Sequence, residues 1–275
     1  MIEFAGVHFC YPDGTWALRG VDLKIDDGEL VAIAGENGAG KTTLVKHMNG
    51  LLKPSRGVVR VDGEDTRALG VERLSRRVGL AFQTPEHQLF CGTVEEEVAL
   101  GLRLRGLGGR ELEERVTWAL GYFGLAEKRL RSPLEMSEGE KKRLAVASVA
   151  ACDPPVLVLD EPTIGLDLRY RERLLKLIEG RRARGLTTVV VTQDVELLWA
   201  LRPRLVLMAE GSVEEDGPIE EVLAGARLER AGLVRPQLLE LHLLLKRRPE
   251  RPFGGVEDAF SWLMGVLERG HAPPR

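Results

Sequence analysis

Apolar residues come in short runs through the opening third of the chain: Ile2 to Val7, Val21 to Ile25, Leu30 to Ala34 and Val58 to Val61. They are set apart by PDG, DDG and DG. Runs of this length bounded by Asp, Pro and Gly predict strands joined by turns, an antiparallel flank beside a core. From Thr93 to about Arg131 the pattern becomes helical with charged faces. Strands return at Val156 to Leu159, Thr188 to Thr192 and Arg204 to Met208, now continuously apolar. That continuity predicts a parallel sheet covered on both faces. The whole reads as an α/β core into which a helical segment, about 84–150, is inserted. Beyond Gly217 to Gly225 the chain is Leu-rich and helical in character, punctuated by Pro236, Pro249 and Pro252, so a division into 1–224 and 225–275 is expected. The second part reads as a small extension or simply a capping helix pair. There is no internal repeat or low-complexity segment.

Composition narrows this picture. A chain of 275 residues holds one sizeable α/β domain with an appendage and is too short for two such cores in tandem. Hydrophobic residues at 44% and charged residues at 29% suit a globular protein, and the formal net charge of -3 leaves no basic footprint for nucleic acid. Cys10, Cys91 and Cys152 stand singly, without metal-type spacing, as in a protein of a reducing compartment. The longest apolar candidate, Leu144 to Leu159, is broken by Asp153, Pro154 and Pro155, so no run reaches the roughly 18 residues a membrane span needs. No signal peptide is expected either, because the N-terminus opens directly on strand-like sequence.

The chemistry concentrates in three segments. GENGAGKTT, residues Gly35, Glu36, Asn37, Gly38, Ala39, Gly40, Lys41, Thr42 and Thr43, follows an apolar strand and precedes a helical run. In that context G-x-x-x-x-G-K-[ST] is a phosphate loop. Its glycines let backbone N–H groups surround phosphates, Lys41 neutralises the β/γ oxygens, and Thr42 offers a hydroxyl to Mg²⁺. The second segment, VLVLDEPT, is a buried strand that delivers two carboxylates at its C-terminal end. Asp160 suits a metal or its water, and Glu161 suits a general base acting on the attacking water. The third, MSEGEKKR, places Ser137 and Glu140 at capping-box spacing, yet a helix N-terminus carrying a hydroxyl and a glycine is also a place for an anion.

In their order along the chain, GENGAGKTT, a lone glutamine at Gln83, MSEGE, VLVLDEPT and GLD resemble an ABC ATPase over nearly the full length. The resemblance implies a P-loop NTPase core with an antiparallel β flank, an inserted helical subdomain and a small C-terminal helical extension for dimerisation or regulation. It implies ATP and Mg²⁺ held in a head-to-tail dimer, between Gly35 to Thr43 of one subunit and Ser137, Glu138, Gly139 and Glu140 of a second ATPase subunit. Gln83 would link Mg²⁺ and water to a transport partner, Asp167 would belong to the loop that contacts the other subunit, and Tyr11 would stack on adenine. Tyr11 also has an ordinary reading, as a half-exposed aromatic beside a turn. Two departures stand out. Glu138 replaces the first glycine of the family's LSGGQ, adding charge that a helix N-terminus partly offsets. Gln193 stands where the family places a histidine that contacts the γ-phosphate, and an amide can donate a hydrogen bond but cannot carry charge or shuttle a proton. Hydrolysis is expected, either slow or dependent on a different partner ATPase.

Within the family, FCYPDGTWAL (Phe9 to Leu18), FQTPEHQLFCGTVEEEVALG (Phe82 to Gly101) and, more loosely, RAGLVRPQLLELHLLL (Arg230 to Leu245) resemble the ATPase subunits of energy-coupling-factor importers and the related cobalt and nickel systems. That resemblance implies a subunit peripheral to the cytoplasmic face of the membrane. A transmembrane coupling protein would insert helices into a groove beside Gln83, and a separate membrane protein would capture a vitamin or metal ion. The acidic run Glu95, Glu96 and Glu97 either receives arginines of the coupling protein or is a solvated helix face. The competing functions are the motor of an ordinary ABC solute importer or exporter and, from another class, a nucleic-acid maintenance ATPase. The latter would need long heptad arms or a basic groove, and neither is present. The substrate is not written in this chain, because in such an architecture the ATPase never touches it.

Overall fold

The structure is a computed structural model that describes residues 1–225, 227, 228, 230–245, 249 and 251–270, with the backbone alone for 267–270. Residues 271–275, at the end of the expected C-terminal extension, lie outside the described residues.

Strands β1 (Ile2–Cys10) and β2 (Trp16–Ile25) form an antiparallel hairpin, its turn closed by Tyr11 N–H on the Thr15 carbonyl at 2.9 Å. β3 (Leu30–Ala34) then runs into helix α1 (Lys41–Met48). β4 (Arg56–Val61) and the short β5 (Glu64–Asp65) return to the flank, which has the order β2-β1-β4-β5. Helix α2 (Val71–Arg77) leads into β6 (Val78–Ala81). Three helices follow: α3 (Val94–Leu104), α4 (Gly109–Tyr122) and α5 (Glu138–Ala151). The core resumes with β7 (Val156–Asp160), α6 (Leu168–Ala183), β8 (Thr187–Val191), α7 (Val195–Leu201), β9 (Arg204–Ala209) and β10 (Ser212–Pro218). Helices α8 (Ile219–Ala224), α9 (Gln237–Leu244) and α10 (Val256–Gly270) complete the described chain.

The second sheet has the order β10-β9-β3-β8-β7-β6, parallel except for the edge strand β10. β3 is therefore not part of the antiparallel flank with which its turn signals grouped it. It lies inside the parallel sheet, with β9 and β8 on either side. All five of its residues are buried because both faces are covered. Val31 and Ile33 pack with α1 and the flank, whereas Ala32 and Ala34 pack toward Trp199, Leu228 and Ala231. The inserted helices share a separate apolar cluster that includes Val98, Leu120, Phe123 and Leu144 and closes on Leu157 and Leu159 of β7. The long helical stretch expected from Thr93 is interrupted after Leu104, at Gly106 and Gly108, and ends near Tyr122, just before Gly124.

At the far end of the sheet Arg181, 1% exposed, donates to Asp153 at 3.0 Å, to the Pro154 and Thr187 carbonyls at 2.7 and 3.2 Å, and to the Thr188 hydroxyl at 3.2 Å. Burial pulls its pKa down to about 10. This guanidinium fastens the N-terminal ends of β7 and β8, so their C-terminal ends open as a register-locked pair. The tail is fastened as well, since the Phe253 carbonyl accepts from Trp199 Nε1 at 3.0 Å and from Arg202 at 2.9 Å. Among the described residues no helix is long and apolar enough to cross a membrane.

Candidate active site

The site forms at the C-terminal ends of β3, β7 and β8, where an open parallel sheet leaves a crevice between its loops. Two glycines shape the loop after β3. Gly35 has φ +152°, and a Cβ there would sit 2.1 Å from the Met208 carbonyl oxygen; Gly40 has φ +96° and would meet Ala17 O at 2.4 Å. Any side chain at either position would force the loop off the neighbouring backbone. The loop wraps around Lys41, only 7% exposed, whose ammonium donates to the Gly35 carbonyl at 2.7 Å and the Glu36 carbonyl at 2.8 Å. Burial lowers the pKa of Lys41, opposed by the charges of Glu161 and Asp160. Those carbonyl bonds hold the ammonium inside the curl of the loop, a placement that suits an anion.

Thr42 donates its hydroxyl to Asp160 Oδ2 at 2.8 Å, joining positions 118 residues apart. Asp160 is 3% exposed, and its other oxygen, Oδ1, is buried without a partner. Burial raises its pKa, against Thr42 and Lys41. A buried carboxylate oxygen left unsatisfied beside a hydroxyl is a hard-oxygen donor pair that fits Mg²⁺. Among the described residues no group of three or more His, Cys, Asp or Glu could hold a metal alone. Mg²⁺ bound through one carboxylate, a hydroxyl and substrate phosphates needs no such group.

The chain turns abruptly at Glu161, which has φ +48° while its N–H bonds the Val191 carbonyl at 2.8 Å. This left-handed conformation, costly for a non-glycine residue, brings the carboxylate back over the sheet end. There Oε2 accepts from the Thr192 hydroxyl at 3.1 Å. Burial is the largest influence on Glu161 and raises its pKa; Thr192 and Lys41 oppose it, and Asp160 adds to it. Gln193 reaches across to the phosphate loop, its amide nitrogen 2.9 Å from Asn37 Oδ1. Tyr11 meets the other side of the loop's helix: its hydroxyl lies 2.9 Å from Thr43 Oγ1, and its ring packs edge-on against Phe9. Gln83 is exposed just past β6, whose Ala81 is in register with Leu159. The β6–β7 pairing thus sets Gln83 at the same sheet end as Asp160.

The segment Ser137 to Glu140 lies apart from this assembly; no hydrogen bond or ion pair among the described residues joins it to residues 35–43. Ser137 caps α5 in a full capping box with Glu140, at 3.4 and 3.1 Å. Glu140 also pairs with Lys128. Glu138 is 75% exposed and pairs with Lys142 at 3.0 Å, which meets part of the charge it brings. Gly139 is close-packed, since a Cβ there would lie 3.2 Å from Leu166. Asp167 caps α6 through the Tyr170 N–H at 2.8 Å.

In the acidic run each carboxylate has a partner within the subunit, and only Glu97 is buried. Glu95 pairs with Arg129 at 2.6 Å, Glu96 completes a capping box with Thr93, and Glu97, 3% exposed, accepts from Phe90 and Cys91 N–H at 2.9 and 2.8 Å. Sequence reasoning passed over Gln88, which accepts from Phe82 N–H at 3.1 Å and donates to Ala145 O at 2.7 Å and Ser148 Oγ at 3.0 Å. It ties the Gln83 segment to α5. Its only signal was its place inside the QLF stretch.

The family model described as ABC transporter matches residues 18–164. The energy-coupling factor transporter ATP-binding protein EcfA of Methanothermobacter thermautotrophicus is 40% identical over 244 residues, covering 88% of this chain and 78% of that protein. Relatives of similar identity are named more generally, as ABC transporter ATP-binding proteins. Among solved structures, cbiO1 from Clostridium perfringens, part of the ABC transporter complex cbiONQ, superposes with a TM-score of 0.70 at 33% identity, over 89% of this chain and 95% of that one. The ATP-binding cassette MJ0796, solved as a dimer in a post-hydrolysis state with ADP and Pi, gives 0.74 at 29% identity, over 80% and 99%. With the loop, the carboxylate pair and the sheet order in place, the chain belongs to the ABC transporter ATPases, as an ATP-binding, ATP-hydrolysing subunit.

Proposed function

We propose that this ATPase powers an energy-coupling-factor type importer of a vitamin or transition-metal ion, peripheral to the cytoplasmic face of the membrane. The observation that carries the reading is a groove of about 270 Å³ between β6 and α3, lined by Leu80, Gln88, Leu100 and Leu104 with Phe90 at its mouth. Phe90 and Leu104 are 76% and 68% exposed, apolar surface of the kind a helix from a membrane partner would cover. Gln88 lines this groove and bonds the Phe82 backbone next to Gln83, so a helix seated there would press on the segment beside the C-terminal end of β7. The likeness to EcfA and to cbiO1 supports this branch over others.

In the reaction, Lys41 and the N–H groups of residues 35–43 bind the phosphates of ATP, with Tyr11 at the adenine end. Thr42, Asp160 and Gln83 would hold Mg²⁺, which would supply positive charge to offset that of the phosphates. Glu161 accepts a proton from the attacking water, favoured by burial that keeps its carboxylate basic. Gln193 donates to the γ-phosphate in place of Asn37. Ser137 to Glu140 of a second subunit close the site, with Asp167 at the contact between the two.

Purification of the intact complex from membranes tests the assignment. An energy-coupling-factor complex yields this chain with a transmembrane coupling protein and a separate substrate-capture membrane protein. Recovery with a paired permease, or with an exporter's transmembrane subunit, would instead make it an ordinary ABC motor.

A further inference from the structure

We infer that Thr192 is a positioning residue for hydrolysis, aiming the Glu161 carboxylate and locking the Gln193 segment to the same point. The inference rests on the reading of Glu161 as general base. Thr192 is fully buried and makes three hydrogen bonds to three different parts of the site. Its N–H donates to the Ile33 carbonyl at 3.2 Å, on the strand that enters the phosphate loop. Its hydroxyl donates to Glu161 Oε2 at 3.1 Å. The same oxygen accepts from Asp194 N–H at 3.1 Å, immediately past Gln193.

A hydroxyl has one proton to give and lone pairs to receive with, so this donor and acceptor pattern is complete. The backbone N–H of Gln193 also bonds this carboxylate, so the Thr192 hydroxyl and the residue after it fix its direction together. Glu161 sits at a left-handed turn, where its backbone alone does not settle the carboxylate's direction. Asp194 is itself held by Arg171 at 3.0 Å and caps α7 through Leu197 N–H at 2.9 Å. Gln193 therefore leaves a rigid junction on its way to Asn37. A valine at position 192 would keep the β-branched shape and the backbone bond to Ile33 while removing only the hydroxyl.

The test compares Thr192→Val and Thr192→Ser with the parent chain in steady-state ATP hydrolysis, each also placed in a Glu161→Gln background, with ATP binding measured separately. Thr192→Val is expected to lower kcat on the order of tenfold or more while KM and ATP affinity move less than about twofold, as for a misdirected rather than missing base. Thr192→Ser, which keeps the hydroxyl, is expected to return most of the rate. In the Glu161→Gln background the valine change is expected to add nothing, because the base it directs is gone. Parental kcat in Thr192→Val, or the same proportional loss with and without Glu161, would overturn the inference. So would equal loss of ATP binding in the valine and serine variants, which would mark a packing role. A Glu161→Gln variant that hydrolyses at the parental rate would instead remove the assignment of the base on which this inference stands.

Discussion

The loop of residues 35–43 and the Ser137 segment both lead into helix N-termini, yet they are finished in opposite ways. Around the loop, Lys41 holds the loop's own carbonyls, while Thr42 and Gln193 reach across the chain, to Asp160 and to Asn37. One Asp160 oxygen remains unpaired. At Ser137 the groups are satisfied locally, by Glu140 three residues on and by Lys142 on the next turn. On the function proposed above, the first region awaits a ligand, since it keeps a buried carboxylate oxygen, an acceptor, without a partner. The second is a stable cap with an exposed serine and a close-packed glycine, as the proposed contact from a second subunit would require. A composite site shared between subunits needs one partner of each kind.

The largest expected effect breaks the first region. Lys41→Ala removes the ammonium held by the loop carbonyls, so nucleotide affinity and turnover should each fall by about a hundredfold or more. Isothermal titration with ATP and a coupled hydrolysis assay check it, and unchanged values would contradict the phosphate-loop assignment. Glu161→Gln separates binding from chemistry: ATP affinity should hold while the rate drops by roughly a hundredfold or more, trapping an ATP-bound dimer visible in sizing chromatography. Hydrolysis at the parental rate would require a different base.

The comparison sharpens when the two regions are mutated in different subunits. Ser137→Ala should cost about 1 kcal/mol of helix capping and leave ATP binding to the single subunit untouched, while lowering turnover of the assembled dimer. Mixing Ser137→Ala chains with Lys41→Ala chains should restore hydrolysis above either variant alone, because a mixed pair carries both lesions in one composite site and leaves the other whole. Rates no higher than the average of the two separate variants would show that each subunit works from its own residues only.

How much of this was legible beforehand depended on whether the chemistry was contiguous. The phosphate loop and the β7 carboxylates are runs of adjacent residues whose types are dictated by what they hold, and the strand of Leu30 to Ala34 was read to the residue. Strand partners were not legible. Turn signals bounded β3 but could not say that it pairs with β8 and β9, which come more than 150 residues later. β6 escaped notice because it is four residues long and follows the charged end of α2, and β10 because its exposed edge reads SVEEDGP. The hydrogen bonds of Glu97 to Phe90 and Cys91, and of Gln193 to Asn37, depend on how loops fold back, which no local spacing encodes.

The smallest expected effect lies where the loop region itself departs from the family pattern. Gln193 is positioned by Thr192 behind it and Asn37 ahead of it, and its amide can supply one neutral hydrogen bond to the γ-phosphate. Negative charge builds on the leaving side of the γ-phosphate as hydrolysis proceeds, so a donor able to carry positive charge would gain more in the transition state than in the bound state. Gln193→His should therefore raise turnover several-fold, the equivalent of about 1 kcal/mol for a charge-assisted bond, with ATP affinity little changed. The imidazole must give up or remake the link to Asn37, which limits the gain to this scale. If slow hydrolysis is instead the assigned role of this subunit beside a faster partner ATPase, the parent chain alone should turn over poorly and the histidine variant should make it independent of that partner. Steady-state rates for parent and variant, each alone and in the membrane complex, separate the two. A parent faster than its histidine variant would mean that the Gln193–Asn37 pair is a working substitute for the histidine and not a deficit.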